Sequence, residues 1–297
     1  MEKIEGIKYS FITDRFIVLL AYLLAFFSAW IAIYFIPDYD LWVKIAAADF
    51  VGTIIIFIAS RLLNNSSMYD PYWSLAPIII LLYLLFIQEV PFGNLRISIV
   101  TLVVVWWGVR LTGNWLKTWP GLNHEDWRYV KLSEDTGSFY WVVSFLGIHL
   151  FPTVIVYLGC LPFIPIVFSD SPVIWTDFAG LFICVFAVEI ESKADRQLRK
   201  FKKSKNTRGQ HICDDGLWKY SRHPNYFGEI AFWGGIFVMA LGLNPSENLY
   251  YGIGFLCMVL LFIFISIPMM EKRQVYKEGY GVYRKQVSML VPWFRKR

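Results

Sequence analysis

The residues best suited to chemistry stand close together. They run Glu191-Ser192-Lys193-Ala194-Asp195-Arg196-Gln197-Leu198-Arg199-Lys200-Phe201, then through a basic loop to Gly216-Leu217-Trp218-Lys219-Tyr220-Ser221-Arg222-His223-Pro224-Asn225-Tyr226-Phe227-Gly228-Glu229. Asp195 and Arg199 are spaced i, i+4 and share one helix face, with Glu191 a turn earlier. A helix that begins at Pro224 sets its unpaired N–H groups beside Arg222, His223 and Asn225, which makes an anion site. Arg199, Lys200, Lys202, Lys203, Lys205 and Arg208 are placed to face it. Membrane topology alone accounts for the lysines. It does not account for His-Pro-Asn-Tyr-Phe-Gly-Glu, whose polar groups run into an apolar stretch. The pattern predicts a site for a phosphate-bearing or otherwise anionic cofactor.

Two further clusters come earlier. Asp70-Pro71-Tyr72-Trp73-Ser74 opens an apolar run; Pro71 fixes a turn there, and Asp70 or Ser74 is placed to cap the helix. Arg110, Asn114 and Trp115 precede His124-Glu125-Asp126-Trp127-Arg128-Tyr129, which packs charges and aromatics beside a membrane face. Asp49, His149, Glu189 and Glu229 lie inside apolar runs, where ionisable groups are costly and tend to mark function. The chain has no G-x-G-x-x-G, no P-loop and no H-E-x-x-H, so a soluble dinucleotide domain is not expected. Its four cysteines form no C-x-x-C, so neither a disulfide framework nor a metal site is expected.

The elements that hold these residues are membrane helices. Of 297 residues 57% are hydrophobic and 17% charged, outside the usual balance of a water-soluble domain. Eight apolar stretches approach or exceed the roughly 20 residues a span needs: 15–36, 43–63, 74–88, 96–114, 139–168, 173–191, 224–243 and 249–270. The third is short, and the fifth is over-long with Pro152 placed to kink it. The reading is an all-α polytopic bundle of seven to eight spans, with 1–138 as one part and 139–297 as a cofactor-binding part. The helix of the sixth span is expected to continue past the bilayer. The net charge of +5 is uneven: residues 193–222 and 271–297 together carry 18 basic and 5 acidic residues, whereas 169–172 and 244–248 carry no Lys or Arg. Positive-inside bias therefore sets the first two segments in the cytosol. The basic balance is read as a membrane face with lipids as neighbours, and no nucleic acid is expected.

As a set, the motif resembles the steroid 5-alpha-reductase family, nearest to its bacterial-type, reductase-like membrane members. The likeness covers about the C-terminal 125 residues: Asp195-x-x-Leu198-Arg199, the 216–229 motif, and a tail with Tyr276, Gly279-Tyr280, Tyr283 and Pro292. Sterol reductases and isoprenylcysteine carboxyl methyltransferases carry similar Arg-His motifs. The resemblance implies a helix bundle holding NADPH at a cytosol-facing cavity, in a bacterial inner membrane or endoplasmic reticulum, with a lipophilic substrate entering from the bilayer. It implies cofactor contacts at Glu191, Asp195, Arg199, Arg208, Tyr220, Ser221, Arg222, His223, Asn225, Tyr226, Glu229, Glu271, Tyr280 and Tyr283. It also implies an acid with a partner on early spans, for which Asp70 and Arg110 are the candidates. The position matching the family's tyrosine is Trp107, which leaves Tyr72 or Tyr129 as the proton donor.

The expected reaction is NADPH-dependent reduction of a carbon–carbon double bond conjugated to a carbonyl. An acid or phenol would hold the oxygen where charge develops, and the cofactor would bring the hydride. The rival is an S-adenosylmethionine-dependent methyltransferase on a lipid or prenyl substrate. The basic loop favours the reductase, because S-adenosylmethionine has no phosphate. A third class is a transporter or lipid-binding scaffold, with Asp49, His149 and Glu229 lining a path.

Overall fold

A computed structural model describes residues 11–89, 93–208 and 211–296, of which 11 and 205–208 are described in backbone alone. The described chain is helical and has no named strand. Seven helical stretches among the described residues are long and apolar enough to cross a membrane. The chain is an integral membrane protein of the all-α, polytopic kind. The long spans are α1 (Phe11–Tyr34), α2 (Leu41–Leu62), α3 (Tyr72–Ile87) and α4 (Leu95–Thr118). A short 3-10 turn, Ser66–Tyr69, lies between α2 and α3.

The over-long fifth stretch is continuous from Trp127 to Phe168. It holds α5 (Trp127–Thr136), α6 (Tyr140–Val143), a π-helical turn at Ser144–Leu150, α7 (Phe151–Cys160) and α8 (Phe163–Phe168). The π turn comes immediately before the expected kink at Pro152. A proline ring crowds the carbonyl four residues back and brings no N–H, and widening the preceding turn relieves both. The same device recurs at Phe262–Ser266, just before Pro268.

The sixth expected span is the first half of α9 (Trp175–Arg208). At 34 residues, α9 is about 51 Å long, well beyond the hydrocarbon thickness, as the sequence predicts. It is not among the seven because Asp177, Glu189 and Glu191 interrupt its apolar half. Asp177 is neutralised in place. Arg96 donates to both its oxygens at 2.9 and 3.1 Å and to the carbonyls of Ser171 and Pro172 at 2.8 and 2.6 Å. Both side chains are buried, and a buried pair is tolerable when its bonds are this complete.

The remaining helices are α10 (Pro224–Leu243), α11 (Pro245–Asn248), α12 (Ile253–Leu261), α13 (Ile267–Gln274) and α14 (Tyr280–Gln286). The chain divides into two compact units: residues 1–83 with 107–157, and 84–106 with 158–297.

Candidate functional site

In the second unit the motif is assembled by a close antiparallel pair, α9 and α10. Small residues make the approach possible. A Cβ at Gly228 would strike the Glu191 side chain and the Ala187 carbonyl, and one at Gly235 would strike the Cys184 sulfur. A Cβ at Gly180 would meet Met239 and the Gly235 carbonyl. Gly180, Cys184, Ala187 and Glu191 are helically spaced, so they form one seam along α9. Gly235 thus serves helix packing, while Gly234 faces Phe255.

Past the seam, the Gly216–Lys219 turn locks onto the extension of α9. Trp218 Nε1 donates to the Ala194 carbonyl at 3.1 Å, and the Leu217 N–H donates to Gln197 Oε1 at 3.0 Å. Gly216 adopts φ +61, and Gln197 occupies the space a side chain there would need. The turn is therefore held against Ala194 and Gln197, which flank Asp195 in sequence. Asp195 and Arg199 are both half-buried. The side chains of Lys205 and Arg208 lie outside those described.

Glu271, on α13, is the electrostatic centre of this unit and is 7% exposed. Arg222 Nε donates to it at 2.7 Å, Arg284 Nε lies 3.3 Å away and His223 Nε2 3.4 Å. Arg222 also donates through Nη1 to the carbonyls of Arg284 and Val287, at 2.8 and 2.6 Å. Expected from sequence to contact the cofactor, Arg222 ties Glu271 to the chain end. The more accessible cation at Glu271 is Arg284, whose side chain is 57% exposed.

The last residues run as a strap along the motif. The Arg222 N–H donates to the Ser288 carbonyl at 2.9 Å, Ser221 Oγ to the Leu290 carbonyl at 2.7 Å, and the Trp293 N–H to the Tyr220 carbonyl at 3.0 Å. Ser221 and Tyr220 are therefore also used in holding the tail. Burial, and then the nearby Glu271 carboxylate, push the Tyr280 hydroxyl up to about 12. Burial likewise raises Tyr283, which donates to the Trp218 carbonyl at 2.7 Å. Glu229 accepts from Trp233 Nε1 at 3.0 Å one turn along α10.

What stays open lies at the start of α10. His223 is the residue before its first turn and makes no side-chain cap. The His223 ring stacks on Tyr226, with centroids 5.3 Å apart and planes within 7°. Among the described residues Asn225, half-buried, makes no side-chain hydrogen bond. An uncapped helix start, an uncommitted amide, a flat ring pair and a nearby guanidinium fit an anionic group with a planar portion.

The first unit holds two acid–phenol pairs. Tyr129 donates to Asp70 Oδ1 at 2.5 Å, with Arg128 Nη2 3.9 Å away. Tyr72 does not pair with its neighbour Asp70. It donates to Asp49 Oδ1 at 2.8 Å and to the Asp49 carbonyl at 3.0 Å. Gly52 permits this, because a Cβ there would strike the Tyr72 hydroxyl. Asp49 is 6% exposed, and among the described residues its buried Oδ2 has no hydrogen-bond partner. Asp49 is the residue most easily passed over: its partner stands 23 positions away, and only its isolation in an apolar run marks it. Ser74 bonds back to the Pro71 carbonyl at 3.0 Å, as a residue in the first turn of α3. Arg110 is half-buried on α4, and Trp107 is fully buried.

Between these helices, Glu125 lies in the connection from α4 to α5. Its Oε1 accepts from the Ser66 N–H at 2.7 Å and the Tyr140 hydroxyl at 3.1 Å. Burial raises the Glu125 carboxyl above the ordinary range, and Asp126 adds to the rise, while the Ser66 and Tyr140 bonds oppose it. Among the described residues no group of three or more His, Cys, Asp or Glu is placed to hold a metal ion.

A protein family described as protein of unknown function (DUF1295) matches residues 56–287. The chain belongs to that family. The match takes in Asp70, Glu125, Tyr129 and the whole α9–α14 region; it starts after Asp49 and stops before the strap. The uncharacterized protein C594.04c of Schizosaccharomyces pombe (strain 972 / ATCC 24843) is 25% identical over 275 residues, covering 82% of this chain and 79% of that relative. No solved structure matches the chain.

Proposed function

We propose that this membrane protein is an NADPH-dependent reductase of a carbon–carbon double bond conjugated to a carbonyl in a lipophilic substrate. The observation that carries the reading is the Asp49–Tyr72 pair: a carboxyl in the apolar interior, oriented by a phenol, with one oxygen left without a partner among the described residues. Such an oxygen is costly to bury as a bare anion. As an acid O–H it would donate to the carbonyl oxygen of the substrate. A donor fixed in an apolar site stabilises the enolate charge that forms there, because no solvent has to reorganise. Tyr72 keeps the carboxyl in one orientation, and Gly52 keeps room for Tyr72.

NADPH supplies the hydride when bound. The residues that would hold it are the α10 start, Asn225, the His223–Tyr226 ring pair, Arg284, and the half-buried Asp195 and Arg199 of α9. Arg284 and Arg199 suit a phosphate because a planar fork can bond two oxygens at once. Arg222, Ser221 and Tyr220 act behind them, tying the motif to Glu271 and the tail.

The test has two arms. Purified protein should show an NADPH-dependent thermal shift and quenching of tryptophan fluorescence; a shift with S-adenosylmethionine and none with NADPH would reverse the choice of cofactor. Asp49→Asn should leave NADPH binding unchanged. It should lower the reduction rate of an enone lipid by about a hundredfold or more, the loss typical of one oxyanion donor.

A further inference from the structure

Six polar groups of the first unit form an unbroken hydrogen-bonded line from a loop into the bundle. Glu125 Oε1 accepts from the Tyr140 hydroxyl at 3.1 Å, and Tyr140 meets Ser66 Oγ at 2.7 Å. Ser66 Oγ meets Ser144 Oγ at 3.0 Å, and Ser144 Oγ lies 3.5 Å from His149 Nδ1. On its other side His149 Nε2 meets Ser60 Oγ at 3.1 Å. His149 is 0% exposed and sits in the π-helical turn 144–150, a distortion frequent at functional sites.

The direction of every bond follows from its partners. His149 Nδ1 also faces the Ser144 carbonyl at 3.0 Å, which only accepts, so Nδ1 carries the proton and Nε2 is bare. Nε2 then accepts from Ser60. Tyr140 spends its one proton on Glu125, so Ser66 donates to Tyr140 and Ser144 donates to Ser66. The hydroxyl donors point the same way, towards a carboxylate that burial and Asp126 make easier to protonate, and the Nδ1–H is shared between the Ser144 carbonyl at 3.0 Å and the Ser144 hydroxyl at 3.5 Å. A network whose only task is to satisfy hydroxyls has no need of a histidine at one end and a half-exposed acid at the other.

We propose that these groups are a proton relay between Glu125 and the buried imidazole of His149. In one passage an O–H bond forms at Glu125 as the Tyr140 O–H breaks. Tyr140 regains a proton from Ser66, Ser66 from Ser144, and Ser144 from His149 Nδ1. His149 Nε2 takes up the replacement from the Ser60 hydroxyl, which is restored by water or a bound hydroxyl compound. Each hydroxyl ends neutral, the imidazole ends as the other tautomer, and one proton has crossed. Once the hydroxyls have turned, the same line carries a proton inwards. The relay does not depend on which cofactor or substrate the protein uses.

The experiment is solvent exchange of the His149 ring N–H in the full chain, labelled with nitrogen-15 histidine and purified in detergent. The signal is identified by its loss in His149→Asn. Tyr140→Phe removes the link beside Glu125 and should slow exchange at His149 by about tenfold or more, leaving His223 unchanged. Glu125→Gln should slow it as well. If these hydroxyls only fill space, removing one loosens the packing and exchange becomes faster or stays the same; either outcome overturns the proposal. Should Tyr140→Phe fail to fold, seen as collapse of all histidine signals, Ser66→Ala is read in its place with the same expected slowing.

Discussion

At the residue scale, two carboxyls of the first unit differ in how their bonds are filled. Glu125 is surrounded by donors, while Asp49 has one filled oxygen and one bare. The raised Glu125 carboxyl has a direct consequence for stability. Between its unfolded and folded values the native state holds more protons than the unfolded chain, so stability falls as pH rises through that window. The thermal midpoint in detergent should therefore drop from the ordinary glutamate range upward, and Glu125→Gln should flatten that slope; an unchanged slope would show that Glu125 is not what titrates there. Little of this was legible beforehand. Asp49 and His149 stand out in the sequence only as polar groups in apolar runs. Serines and tyrosines such as Ser66, Tyr140 and Ser144 are too common at span ends to signal anything singly. Their meaning comes from partners 74 and 78 positions away. Arg222 shows the same limit: its type says anion, and its bonds to Glu271 and to the carbonyls of Arg284 and Val287 are not legible from the sequence.

At the element scale, the order of site residues depends on how closely α9 and α10 approach. The extension of α9 and the start of α10 at Pro224 were both readable, because charge density and a proline are local signals. The seam was readable only in part, since a glycine does not state which helix it faces. Gly228 is its critical point. There an added methyl meets the Ala187 carbonyl at 2.8 Å, and backbone moves less easily than the tip of a side chain. Gly228→Ala should destabilise the protein by about 1–3 kcal/mol and weaken the NADPH binding proposed above, because the same shift displaces Asn225 and His223. Gly281→Ala, where nothing lies within 4 Å of the added atom, should do neither. Equal effects from the two changes would remove the close approach as the cause. The fifth stretch shows the converse limit. A proline announces that a helix must adjust, but whether it kinks or widens into a π turn depends on neighbours that pattern does not contain.

At the scale of the whole molecule, charge rather than hydrophobicity carries the directional information. Residues 193–222 and 271–297 hold a net +13, while the other 240 residues hold −8. In the second unit both basic segments belong to the motif: the α9 extension and the 216–222 turn on one side, and α13, α14 and the strap on the other. The connection between α10 and α12 is at the opposite end of these helices and, over 244–248, carries no Lys or Arg. Moving a dense cationic segment across a bilayer is opposed both by its hydration and by anionic lipids of the inner leaflet. The cation-rich end should therefore face the cytosol and α11 the opposite side. Exposed positions make the comparison direct. In intact cells, an impermeant maleimide should label Ser246→Cys and should label Lys285→Cys only after permeabilisation. Labelling in the reverse order would turn the molecule over. It would also set the site formed by Glu271, Arg284 and the start of α10 away from the compartment where NADPH is held, and with it the reductase reading would fall.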